Sequence, residues 1–205
     1  MSQVVTGVRS ALSLPAVYRA FINLAGGDRA YREFVGRYAR PRPGDHVVDI
    51  GCGTGHLVLF LPGVDYVGYD ADPDYIDAAR RRYGRKGSFF LAGVGSPPPL
   101  PDHGFDLAIA FGVIHHLGDA AAGALFRDAR ALLMPGGRLV TCDGSYAEDQ
   151  SRVARWLIAH DRGQAIRTQG TLEALARTHF TDVRSDVRHD LLRIPYTHVI
   201  LECRG

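Results

Sequence analysis

An acid, three closely spaced glycines and a second acid give this chain its first chemistry. Asp49, Gly51, Gly53 and Gly55 lie in the run Val48-Asp49-Ile50-Gly51-Cys52-Gly53-Thr54-Gly55, and Asp70 ends a second apolar run, Tyr66-Val67-Gly68-Tyr69. Glycines at such a turn let the backbone approach a ligand, and an acid after the next strand can hold ribose hydroxyls. The spacing is G-x-G-x-G. It is not the G-x-G-x-x-G in which a pyrophosphate rests on a helix N-terminus. A carboxylate at Asp49 would also repel a pyrophosphate. The pattern suits a nucleoside ligand that lacks phosphate and carries positive charge. A second reactive group, His115-His116, follows the apolar run Phe105–Phe111. Imidazole titrates in the range useful to a general base.

These residues need a framework. Alternating apolar runs and helical periods predict strands near 46–50, 65–70, 88–92, 105–111 and 137–143, with helices near 55–61, 73–84, 119–133 and 148–161. Alternation at this spacing implies a parallel sheet with helices on both faces, and ligands bind outside the carboxyl ends of its strands. Upstream, residues 13–39 read as two helices broken at Gly26-Gly27, with Asp28 capping the second, and Pro41-Arg42-Pro43-Gly44 ends that region. Downstream, Thr171–His179 reads as a short helix, and Thr181–Arg188 and Thr197–Cys203 as strands. At 205 residues the chain is expected to form one domain: a helical lid over 1–43, a ligand-binding core over 44–143 and an insertion with the last strands over 144–205.

S-adenosylmethionine lacks phosphate and carries sulfonium and ammonium groups. The run Val48–Gly55 resembles the first motif of class I S-adenosylmethionine-dependent methyltransferases. Tyr69-Asp70-Ala71-Asp72-Pro73 resembles their second motif. Phe105 through Leu117 resembles the fourth strand and its loop, and Leu133-Met134-Pro135-Gly136-Gly137-Arg138-Leu139 the turn into the fifth. The likeness covers roughly residues 45–143. It implies a Rossmann-like α/β fold: a seven-stranded, mostly parallel sheet of order 3-2-1-4-5-7-6 with strand 7 antiparallel. It also implies methyl transfer to a small molecule, releasing S-adenosylhomocysteine, with cofactor contacts at Asp49, Gly51, Cys52, Gly53, Gly55, Asp70, Ala71, Phe111 and His116. In one place the chain departs from the family. The third strand leads to Gly93-Val94-Gly95-Ser96, with no acid to accept from the adenine amino group. Backbone groups of Val94 and Gly95 are expected to take that role, with Ser96 as the alternative.

His115 and His116 are the candidate bases; the alternative is that they shape the pocket wall. Tyr18, Tyr146, Arg162, Arg167 and Tyr196 are candidate acceptor contacts, and the two arginines would favour an anionic group. Surface ion pairs are their bland alternative. Asp143 could orient an acceptor, act as base, or cap the helix expected near Glu148.

The bulk numbers narrow the classes. A net charge of +2 gives no electrostatic case for nucleic acid. Cys52, Cys142 and Cys203 have neither metal nor disulfide spacing, so no metal is expected. Asn23 is the only Asn, which removes an N-P-P-Y amino-methyltransferase motif and the usual Asp/Asp/Asn magnesium site. No signal peptide or transmembrane run is read, so the expected setting is cytoplasmic, as a monomer or homodimer. Three rivals stand beside the enzyme: a sensor that binds the cofactor without methylating, an RNA methyltransferase using Arg80–Lys86, and a nicotinamide oxidoreductase.

Overall fold

A computed structural model describes residues 27–100, 104–160, 163 and 165–205. Tyr18, Arg162 and the first expected helix lie outside the described residues. The sheet runs through β1 (His46–Ile50), β2 (Asp65–Asp70), β3 (Ser88–Leu91), β4 (Phe105–Phe111), β5 (Leu133–Tyr146), a two-residue β6 (Arg167–Thr168), β7 (Asp182–Arg188) and β8 (His198–Arg204). Their order is β3-β2-β1-β4-β5-β8-β7, with β6 off this path against β5. Counting the long strands alone, this is the expected 3-2-1-4-5-7-6. The last strand is antiparallel to both neighbours and the other long pairings are parallel.

Side chains alternate across the sheet as the period of two requires. Leu107, Ile109, Val140 and Ile200 pack on one face, beneath α1 (Gly27–Phe34) and α2 (Pro73–Tyr83). Ala108, Ala110, Leu139, Val199 and Leu201 pack on the other, beneath α3 (Asp119–Leu132) and α5 (Gln169–Arg177). α4 (Arg152–Ala159) follows β5. The described part of the expected lid is built into the first face: Phe34 and Tyr38 are buried there.

Local chemistry sets the boundaries. Asp72 caps α2, its Oδ1 accepting the Asp74 N–H at 2.9 Å, and Pro73 occupies the first helical turn. Asp28 differs from expectation. Its helix already begins at Gly27, so Asp28 sits inside the first turn and meets His56 Nε2 at 3.0 Å. β5 runs past the expected 143 because Gly144 pairs with His198 and Ser145 with Arg167. Asp143 is therefore a strand residue and caps no helix; Ser151 caps α4 instead, accepting from Ala154 N–H.

Candidate functional site

The glycine turn follows β1 directly. Gly51, Gly53 and Gly55 have φ of 71°, 53° and 73°, in the left-handed region that a side chain strains. A Cβ on Gly51 would come 2.7 Å from Val113, and one on Gly55 2.6 Å from Phe89. A Cβ on Gly53 would meet nothing within 4 Å, so the backbone there borders open space. Asp70 carries this turn. Its Oδ2 accepts the Gly53 N–H at 2.9 Å and its Oδ1 the Asp72 N–H at 2.9 Å. Asp49 lies beneath, buried, with the Tyr66 hydroxyl donating to Oδ2 at 2.6 Å. Burial pushes the Asp49 carboxyl up to about 7; the Tyr66 hydrogen bond opposes the shift and the charge of Asp70 adds to it. Cys52 packs against Gly68, and burial raises its thiol well above the ordinary value.

The turn after β3 is closed by Ser96 N–H donating to Gly93 O at 3.1 Å. It stands beside Ala71, since a Cβ on Gly93 would lie 3.9 Å from the Ala71 methyl. Val94 packs against the core. Of the two residues expected to reach the adenine through backbone groups, Gly95 already has its N–H donating to Asp128 Oδ2 at 2.7 Å.

His115 is held beyond β4. Its Nδ1 lies 2.8 Å from Asp143 Oδ1, and its backbone N–H donates to the same oxygen at 3.2 Å. Both side chains are buried, and Asp143 Oδ2 is buried without a hydrogen-bond partner. His116 is exposed, its ring 4.0 Å from that of His115. Across the ring lies Gly163, where a Cβ would approach His115 Cδ2 to 2.3 Å. Ala165 N–H donates to His115 O at 3.0 Å. Sequence reasoning missed the contact with Gly163, and no local signal marks it.

Arg167 does not take the acceptor role expected of it. Nε and Nη2 donate to Asp119 Oδ1 at 3.1 and 2.7 Å, Nη1 to the carbonyls of Ile114 and Ala165 at 3.2 and 2.9 Å, and Nη2 to Leu117 O at 2.7 Å. Five bonds exhaust a guanidinium's five donors. The residue is buried and brackets the turn that carries His115. The other candidates lie across the sheet. Phe111 packs against Tyr31 and Phe34, with centroids at 4.8 and 5.1 Å. Tyr196 covers Gly144, where a Cβ would meet its hydroxyl at 2.5 Å, and lies 4.9 Å from His198. Tyr146 lies beneath the Arg155 guanidinium at 5.7 Å.

Comparison with known proteins fits this arrangement. The family model described as a methyltransferase domain matches residues 47–137, from β1 to the turn inside β5. A demethylmenaquinone methyltransferase of Corynebacterium kroppenstedtii is 36% identical over 126 residues, covering 60% of this chain and 52% of that protein. An O-methyltransferase of Penicillium expansum is 31% identical over 179 residues, covering 79% and 63%. These matches support a class I S-adenosylmethionine-dependent methyltransferase. The chain spans between half and two thirds of the length of these two relatives. A solved methyltransferase of Haemonchus contortus, acting on phosphoethanolamine nitrogen and bound to S-adenosylhomocysteine, shares the fold at TM-score 0.74 and 14% identity, covering 96% of this chain and 58% of that one.

The family's cofactor is S-adenosylmethionine, and this chain's residues fit it. The open space at Gly53 admits a close ligand, and the rim carboxylate of Asp70 stands at the end of β2. In methyltransferase terms, Asp49, the glycine turn, Asp70 and Ala71 would hold the cofactor. Among the described residues no helix is long and apolar enough to cross a membrane.

Proposed function

We propose that this chain is a methyltransferase acting on a hydroxyl of a small-molecule acceptor, with His115 as general base. The contact between His115 Nδ1 and Asp143 Oδ1 at 2.8 Å carries this reading. A buried carboxylate on one ring nitrogen fixes the tautomer, so the proton resides on Nδ1 and the basic lone pair on Nε2. The resulting imidazolium is stabilised by the same carboxylate. Bound S-adenosylmethionine supplies an electrophilic methyl group whose sulfonium leaving group needs no acid. The chain's own residues must therefore align the acceptor, exclude water and take the hydroxyl proton at His115 Nε2. Arg167 holds the turn Ile114–Leu117 in place for that transfer, Gly163 lies against the ring and Ala165 N–H holds the His115 carbonyl. Residues 44–143 form the cofactor half and 144–205 the acceptor half in this reading, within a cytoplasmic enzyme. The name of the O-methyltransferase relative from Penicillium expansum supports oxygen as the methylated atom.

The test is transfer of labelled methyl from S-adenosylmethionine to a panel of phenols and quinols, with S-adenosylhomocysteine calorimetry alongside. Expected for His115→Gln and Asp143→Asn is a loss of transfer of roughly 10²–10⁴-fold with S-adenosylhomocysteine affinity retained. Full transfer by both variants would remove the base from the mechanism.

A further inference from the structure

The third-strand turn of this chain lacks an acid, yet a carboxylate holds that turn from another element. Asp128 lies on the third turn of α3, buried, far along the chain from Gly93–Ser96. Its Oδ2 accepts the Gly95 N–H at 2.7 Å, within the short range of a charge-assisted bond. Its Oδ1 accepts from the neighbouring Arg127, Nε at 3.2 Å and Nη2 at 2.9 Å. Gly95 itself is strained for any side chain, with φ of 87°. The turn it occupies is fixed at three further points: Ser96 N–H on Gly93 O, Ala92 N–H on Asp70 O at 3.0 Å, and Gly93 beside Ala71.

We propose that Asp128 is the positioning residue for the adenine end of the cofactor site, holding the Val94–Gly95 turn against the Asp70–Ala71 rim. The proposal rests on the cofactor reading above. Asp128 does not itself meet the base, because its two oxygens are engaged by Gly95 and Arg127. It acts through the turn, whose remaining backbone groups at Gly93 and Val94 are left to read the base edge. A backbone reader needs a fixed backbone, and a short four-residue turn rich in glycine does not fix itself. The carboxylate supplied by α3 does so from behind. The consequence of its loss is local. Gly95 is exposed, so water can take up its N–H once the carboxylate is gone, and the protein keeps its fold while the turn loses its anchor.

Calorimetric titration with S-adenosylhomocysteine and with its deaminated analogue S-inosylhomocysteine tests this on the whole chain. Wild type is expected to prefer the adenine form. Asp128→Leu, of similar shape but with no acceptor, is expected to bind S-adenosylhomocysteine about tenfold more weakly and to lose most of that preference. Asp128→Asn keeps an acceptor oxygen and is expected to restore affinity to within about threefold of wild type. Unchanged affinity in Asp128→Leu would overturn the proposal. So would an equal fall for both ligands, which is what a merely structural residue would give, or a wild type indifferent to the base. A wild type that binds neither ligand would overturn the cofactor reading itself, a separate outcome seen before any variant is made.

Discussion

Asp49 should surrender a proton when the cofactor binds. Its carboxyl is buried in contact with the Tyr66 hydroxyl and is pushed up to about 7. At pH 6 such a group is roughly nine-tenths protonated, and at pH 7 about half. A ligand bringing sulfonium and ammonium charge to the glycine turn favours the ionised form. Binding S-adenosylmethionine should then release close to ~0.9 proton at pH 6 and ~0.5 at pH 7, with affinity rising about fivefold between them. The ligand's own ammonium stays largely protonated over this interval, its pKa being about 7.7–8.0. Titrations in two buffers of different ionisation enthalpy count the protons directly. Asp49→Asn should bind more weakly with a flat pH profile. The same group acts on stability with the opposite sign from a salt-bridged acid. Its folded value lies above the ordinary 3.8, so the folded state holds the proton more tightly. The stability it contributes is fully present below about pH 4 and is lost as pH rises through about 7, a swing of order 4 kcal/mol at most. A wild type with pH-independent affinity and equal heats in both buffers would show that Asp49 does not face the cofactor's charge, and the argument from its position would fail.

Other outcomes follow from the same contacts. Arg167→Met should lower the melting temperature by roughly 5–10 °C, because buried carbonyls of the Ile114–Leu117 turn lose their donors; scanning calorimetry reads this, and an unchanged melting point would mean that the bracket is dispensable. Gly163→Ala should slow methyl transfer more than it weakens S-adenosylhomocysteine binding, since its Cβ would press on the His115 ring and not on the glycine turn. Gly55→Ala should destabilise by about 1–3 kcal/mol in urea titration, from a positive φ and a 2.6 Å approach to Phe89. Trp156→Ser, at a residue 60% exposed on α4, should change stability by less than ~0.5 kcal/mol.

The first half of the sheet was readable because each strand there is a short apolar run ended by a residue with a local reason to be there. Gly51 ends β1, and Asp70, Asp72 and Pro73 end β2 and start α2. The order of the last strands came from family resemblance, since periodicity carries no information about which strand inserts between which. The site was less legible on its acceptor side. In sequence Asp143 reads equally as an acceptor-orienting group, a base or a cap, and only the pairing of β4 with β5 brings it to His115. Arg167 reads in sequence as a hand for an anion or half of a surface ion pair, because a guanidinium's use depends on which carbonyls surround it, and two of the three here belong to a turn some fifty residues earlier. Asp128 gave no sequence signal at all. It sits in an amphipathic helix where a polar residue is ordinary, and only the fold brings Gly95 to it.

The placing of β8 between β5 and β7 has a consequence for how the chain assembles. β1 to β4 all lie within residues 46–111 and pair with one another, β5 joins β4 soon after, and that part of the sheet can close while later residues are still being made. β7 cannot join it. Its partner within the sheet is β8, seven residues pairing with seven, and β8 in turn is its route to β5. Until His198–Arg204 arrives, β5 presents a bare edge at the middle of the future sheet, the place where an unpaired strand most readily recruits a wrong neighbour. The molecule should therefore fold in two stages, an early half that can meet the nucleoside and a late half locked by a single strand. Shortening that strand should yield a protein that aggregates through β5, with the nucleotide-binding turns already formed.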